Sequence, residues 1–178
     1  MDTRKTDRGG TSMRRLTLMA LLFAMAMVLS VLESMLPALP MLPPGVKLGL
    51  SNIVTMYTLF VLGPARGYTI AVLKSLFVLL AGRGPVGAVL SLAGGLSSVT
   101  VMLLLSKLPP VRKDYLLLSI FGAAFHNLGQ LAASVFVVGT VEILRLFPLL
   151  ILSGVGMGVV TGLMLRVIMP HINKLYKA

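Results

Sequence analysis

Long apolar runs broken at short intervals by clusters of proline and glycine restrict what this chain can fold into more than any other feature. The breaks fall at Pro37, Pro40, Pro43, Pro44 and Gly45, at Gly63-Pro64-Ala65-Arg66-Gly67, at Gly82-Arg83-Gly84-Pro85, at Pro109-Pro110 and at Pro170. A helix needs about 20 residues, at ~1.5 Å each, to cross the hydrocarbon core of a bilayer, and fewer where flanking side chains reach out to water. No water is present in that core, so backbone groups must pair within a helix or around a closed barrel. Barrel strands would be short and alternating. The runs here are continuous, which selects helices. With 57% hydrophobic residues against 12% charged, the bilayer is the expected solvent.

The expected fold class is all-α, a polytopic membrane helix bundle of about six transmembrane helices, over residues 15–36, 46–62, 68–81, 86–108, 114–138 and 141–169. The domain layout is a polar cytoplasmic leader at 1–13, a transmembrane domain at 14–170 and a cytoplasmic tail at 171–178. Each proline cluster ends a helix because proline lacks the N–H that the preceding turn requires, and Pro170 is expected to end the last one. The leader, short of apolar residues, is expected to lack fixed structure. Arg14 and Arg15 precede an apolar stretch containing Ala24-Met25-Ala26, in the manner of a signal peptide, but the run continues to Leu36, too long for such a segment. The second and third helices are short. A re-entrant hairpin there would leave four crossings with the termini unmoved.

The net charge of +11 does not indicate nucleic acid, because the basic residues sit at the ends of apolar runs and form no stripe with aromatics. They read as topology signals. Short loops rich in Lys and Arg stay in the cytoplasm. Arg4, Lys5, Arg8, Arg14 and Arg15 in the leader, Arg66, then Lys107, Arg112 and Lys113, and finally Arg166, Lys174 and Lys177 all fall on one side of a six-helix chain. Lys47, Arg83 and Arg145 fall on the other. Both termini are therefore expected in the cytoplasm of a bacterial cell membrane. Absence of cysteine removes disulfides, thiolate catalysis and most zinc sites, and His126 and His171 are far apart, so no metal site is expected.

Polar residues inside apolar helices require a reason, since a charge deep in lipid costs several kcal/mol unless it is paired or faces a watery cavity. Lys74 lies near the middle of the third helix. Ser51 and Asn52 lie in the outer half of the second, and His126, Asn127 and Gln130 in the middle or outer half of the fifth. His126 and Gln130 share a face by their four-residue spacing. Together with Lys47 these residues are candidates for binding a substrate in the outer half of the membrane. Bases outnumber acids there, which suits an anion with apolar bulk. Glu33, Lys47, Arg83, Glu142 and Arg145 also fit side chains snorkelling to the interface, and His126, Asn127 and Gln130 also fit hydrogen bonds between helices.

Small residues make a second pattern. Ala20 and Ala24 stand four apart in the first helix, and Gly154, Gly158 and Gly162 stand in register in the sixth. Such rows let helices approach closely in lipid. For the glycines, packing within the protein is the favoured reading.

The stretches 47–55 (KLGLSNIVT), 90–97 (LSLAGGLS) and 124–130 (AFHNLGQ), with the glycine-rich run 153–162, resemble the Gx transporter family, also catalogued as heptaprenyl diphosphate synthase component I. That family is similar to the substrate-binding S components of energy-coupling-factor transporters. The resemblance implies a six-helix protein that binds a small nutrient near its outer face and docks through an A-x-x-x-A row on a transmembrane coupling subunit, driven by cytoplasmic ATPases. Carried over, Ala20 and Ala24 are docking residues and the Pro37 to Gly45 turn is part of a lid. The synthase name implies chemistry that the residues do not support. Prenyl-chain elongation uses aspartate-rich clusters to hold Mg²⁺ on diphosphate, whereas the acids here are Asp2, Asp7, Glu33, Asp114 and Glu142, none adjacent. No nucleotide-binding or serine-hydrolase motif is present either. The expectation is a non-enzymatic substrate-binding subunit without cofactor. The alternative is a non-catalytic membrane subunit associated with prenyl diphosphate or quinone synthesis or with a quinone-linked redox assembly.

Overall fold

A computed structural model describes residues 4–35, 50–111 and 114–177, and among these the chain is all-helical. The six α-helices are α1 (Arg4–Met35), α2 (Leu50–Tyr57), α3 (Pro64–Val78), α4 (Gly84–Leu105), α5 (Tyr115–Val138) and α6 (Phe147–Lys177). A π-helical turn, Thr58–Leu62, extends α2, and a 3-10 helix, Val141–Leu146, leads into α6. By length and composition, three helical segments are able to span a membrane: Pro64–Leu105, Tyr115–Val138 and Val141–Pro170. The first of these is two helices, because Ala81 and Gly82 leave helical geometry between α3 and α4. The apolar parts of the remaining helices, Leu16–Leu32 and Ser51–Leu62, are shorter.

Several ends differ from expectation. The first helix begins at Arg4, within the leader, since extending an existing helix costs far less than starting one. Pro64 opens α3 at its first turn, where a missing N–H is harmless. Asp114 caps α5, its carboxylate accepting from the N–H groups of Leu116 at 3.0 Å and Leu117 at 3.3 Å. Pro170 does not end α6 as expected: the helix runs through it to Lys177. Proline removes one hydrogen bond to the preceding turn, and the turns on either side suffice to carry the helix on.

Adjacent helices form a closed circuit. The α1 helix packs on α2 and α3, α3 on α4, α4 on α5, α5 on α6, and α6 returns to α2. The apolar core fills one half of this ring, toward the start of α1 and the end of α6, with Leu22, Leu59, Val99, Met102, Leu118 and Leu165 among its members. Phe60 and Tyr115 meet edge to face there, 5.9 Å between ring centres.

Close backbone approach holds α5 and α6 together. A Cβ built on Gly158 would stand 2.5 Å from Ile120 Cα, one on Gly162 would stand 2.9 Å from Leu116 Cα, and one on Gly154 would stand 3.1 Å from Ala124 Cα. The glycine row thus faces the backbone of α5. In lipid, where apolar side chains gain nothing by leaving the solvent, such proximity is a main source of helix association.

Candidate functional site

The half of the ring opposite the apolar core is hollow. A cavity of about 260 Å³ lies between the last turns of α1 and α3, the first turns of α2 and α4, the middle of α5 and the first half of α6. Every helix contributes polar groups to it: Ser30 from α1, Ser51 and Asn52 from α2, Lys74 from α3, Ser91 from α4, His126, Asn127 and Gln130 from α5, and Thr161 from α6. Val78, Leu90, Ala123 and Met157 supply the apolar part of the wall.

Of the seven substrate-binding candidates read from the sequence, the structure brings Ser51, Asn52, Lys74, His126, Asn127 and Gln130 to this one cavity. Lys47 and the proline-rich turn expected to act as a lid lie outside the described residues. Ala20 and Ala24 are elsewhere, exposed on the outer surface of α1 in the apolar half. Gly154 both packs against α5 and borders the cavity.

Lys74 rests in the wall with its Nζ donating to Asn52 Oδ1 at 3.0 Å. The pair ties α3 to α2 and holds the amide of Asn52 at the cavity surface. Asn127 is engaged differently. Its Nδ2 donates to the carbonyl of Leu150 at 2.8 Å and approaches Ser153 Oγ at 3.4 Å, so its donor clamps α5 to the first turns of α6. His126 and Gln130, one turn apart, lie against Gly94 of α4. A Cβ there would stand 2.7 Å from Gln130 Cγ and 3.0 Å from His126 Cε1. Absence of a side chain at Gly94 is what lets these two residues reach the cavity between α4 and α5.

Arg83, which the sequence places toward the outer face, is exposed and also lines the cavity. It is carried by the turn between α3 and α4, whose neighbours Gly82 and Gly84 have φ of 81° and 71°, backbone values that favour glycine. The described lining therefore holds two cationic side chains, Lys74 in the wall and Arg83 at the turn. Apolar walls strengthen the field of such charges relative to bulk water. Ser30, Ser91 and Thr161 are lining residues that sequence reasoning missed. Hydroxyl side chains are common in membrane helices because they return their proton to the preceding turn, as Thr161 does to the carbonyl of Met157, and so give no sequence signal. No cluster of metal-ligating side chains is found among the described residues.

Neither a curated protein nor a solved structure matches the chain. The family profile described as heptaprenyl diphosphate synthase component I matches residues 22–168, a span that takes in all the cavity residues named above. The chain belongs to the heptaprenyl diphosphate synthase component I family.

Proposed function

We propose that this protein is a membrane-embedded substrate-binding subunit, S-component-like, of an energy-coupling-factor type transporter that takes up a small anionic or amphipathic nutrient or cofactor precursor. The observation that carries the reading is the convergence of Asn52, Lys74, His126 and Gln130, from three helices, on one cavity with a partly apolar wall. Binding sites for small molecules have this character: an apolar enclosure with a few convergent polar groups that fix orientation. At about 260 Å³ the cavity suits a small head group or a compact nutrient. An anionic group would sit at the corner made by Lys74, Asn52 and His126, with its apolar part against Val78, Leu90 and Met157.

In this reading six helices cross the bacterial cell membrane, both termini are cytoplasmic, and the cavity half faces outward. The chain captures its ligand without chemical change, and energy comes from a coupling subunit and its ATPases. Ala20 and Ala24, exposed on α1, form the docking row. Two experiments test this. The wild-type protein is expected to co-purify with the coupling subunit and the Ala20→Leu/Ala24→Leu variant to lose it; purification of the wild type alone from cells that contain the coupling complex contradicts the transporter reading. For topology, outside reagent reaching Arg66→Cys in intact cells contradicts six crossings.

A second reading is favoured by the family description: a non-catalytic membrane subunit associated with prenyl diphosphate or quinone synthesis. It predicts that deleting the gene alters the activity, location or product length of the soluble synthase.

A further inference from the structure

A smaller space adjoins the cavity and shares part of its lining. Between α2, α3, α4 and α5 lies a second chamber of about 10 Å³, bordered by Asn52, Lys74, Ser91 and His126, which it shares with the cavity, and by Thr55 and Ser98, which belong to it alone. We infer that this chamber is a site for one ordered water, which bridges Thr55, Lys74 and Ser98 and fixes the ammonium group in the wall of the cavity.

The volume is that of a single water probe, and buried waters settle where two to four polar partners converge. Cavities that stay dry have apolar linings. Here only Ala71 and Gly95 bring no polar side chain. The hydroxyl of Thr55 reaches the carbonyl of Ser51 at 3.5 Å, beyond the usual hydrogen-bond range, so a water in the chamber is a closer partner for it. The hydroxyl of Ser98 sits on a residue 5% exposed, one helix away. An ammonium group has three N–H donors, and Asn52, which borders both spaces with Lys74, takes one of them. A water in the chamber accepts from Lys74 and donates onward to Thr55 and Ser98, linking α2, α3 and α4 through one molecule. Lys74 then keeps a fixed direction whether or not the cavity is filled.

Water-edited solid-state NMR on the full chain in lipid bilayers, with labelled Ser, Thr and Val, tests this. Thr55 and Ser98 are expected to receive magnetisation from water along with Ser51, which lines the open cavity, while Val99, 0% exposed, receives none. Transfer to Ser51 without transfer to Thr55 and Ser98 shows a dry chamber and overturns the inference. Ser98→Val places methyl groups in the chamber and is expected to abolish transfer at Thr55 while sparing Ser51. Transfer at Thr55 that persists in a folded Ser98→Val protein also overturns it. If that variant does not fold, the wild-type comparison of Thr55 and Ser98 with Val99 decides alone.

Discussion

Toward the start of α1 and the end of α6, the backbones of α5 and α6 come so close that a Cβ on Gly158 would stand 2.5 Å from Ile120 Cα, whereas one turn away along α6 Gly154 already borders a cavity of about 260 Å³. The same six helices are thus packed tight at one end and spread apart at the other. The tight end buries Met102, Leu118, Leu165 and Met169. The open end is held by specific hydrogen bonds instead, Lys74 to Asn52 and Asn127 to the Leu150 carbonyl. Helices in lipid gain little from apolar burial against one another, so a bundle can afford a hollow end only where the other end packs closely and polar ties bridge the gap. Stability and ligand chemistry are therefore expected to respond to different substitutions.

The largest contrast comes from adding the same side chain at each end. Gly158→Leu forces α5 and α6 apart at the backbone and is expected to cost about 3 kcal/mol, seen as loss of the monodisperse species in mild detergent and a lowered Tm. Ser91→Leu, which points its added bulk into the cavity, is expected to cost under about 1 kcal/mol because the space exists. Equal losses from both would erase the division between the two halves. Asn127→Leu removes the tie to Leu150 and is expected to lower stability by about 1 kcal/mol, within the range measured for hydrogen bonds between membrane helices; an unchanged Tm would mean that the open end is held by something else. The smallest effect lies in the tight half. Ser119 is 1% exposed and its Oγ has no hydrogen-bond partner among the described residues, so Ser119→Ala is expected to raise stability by up to about 1 kcal/mol. A loss on Ser119→Ala would mean that the hydroxyl is satisfied in the membrane, and the tight half less dry than its packing indicates.

How far the sequence reveals these halves depends on the chemistry of each residue. Lys74, Asn52, His126 and Gln130 stand out because charged and amide groups are costly in an apolar helix, and that same cost is why they meet at a cavity. Asp114 is legible as the start of α5 because a carboxylate ahead of an apolar run satisfies orphan N–H groups. The spacing of Gly154, Gly158 and Gly162 discloses a close approach; that the partner is α5 depends on tertiary packing, which no local pattern records. The depth of Arg83 is legible by counting along the helix, but its place on the cavity lining depends on the direction in which the turn folds. Ser30, Ser91 and Thr161 are silent, since hydroxyls are tolerated anywhere in such helices. The π-helical turn at Thr58–Leu62 is silent as well: a hydroxyl returned to the Val54 carbonyl at 2.8 Å marks it in the structure, but the same bond is compatible with an ordinary helix.

The central claim is that the hollow end captures a small acidic or amphipathic molecule through Lys74. Mass spectrometry of the protein extracted in mild detergent, wild type beside Lys74→Met, tests it most directly. The expected result is one small molecule of defined mass and acidic character on the wild type, with occupancy lowered at least tenfold in Lys74→Met, about 1.4 kcal/mol of binding. A wild type that carries no such molecule, or a Lys74→Met variant that carries it equally well, would contradict the account.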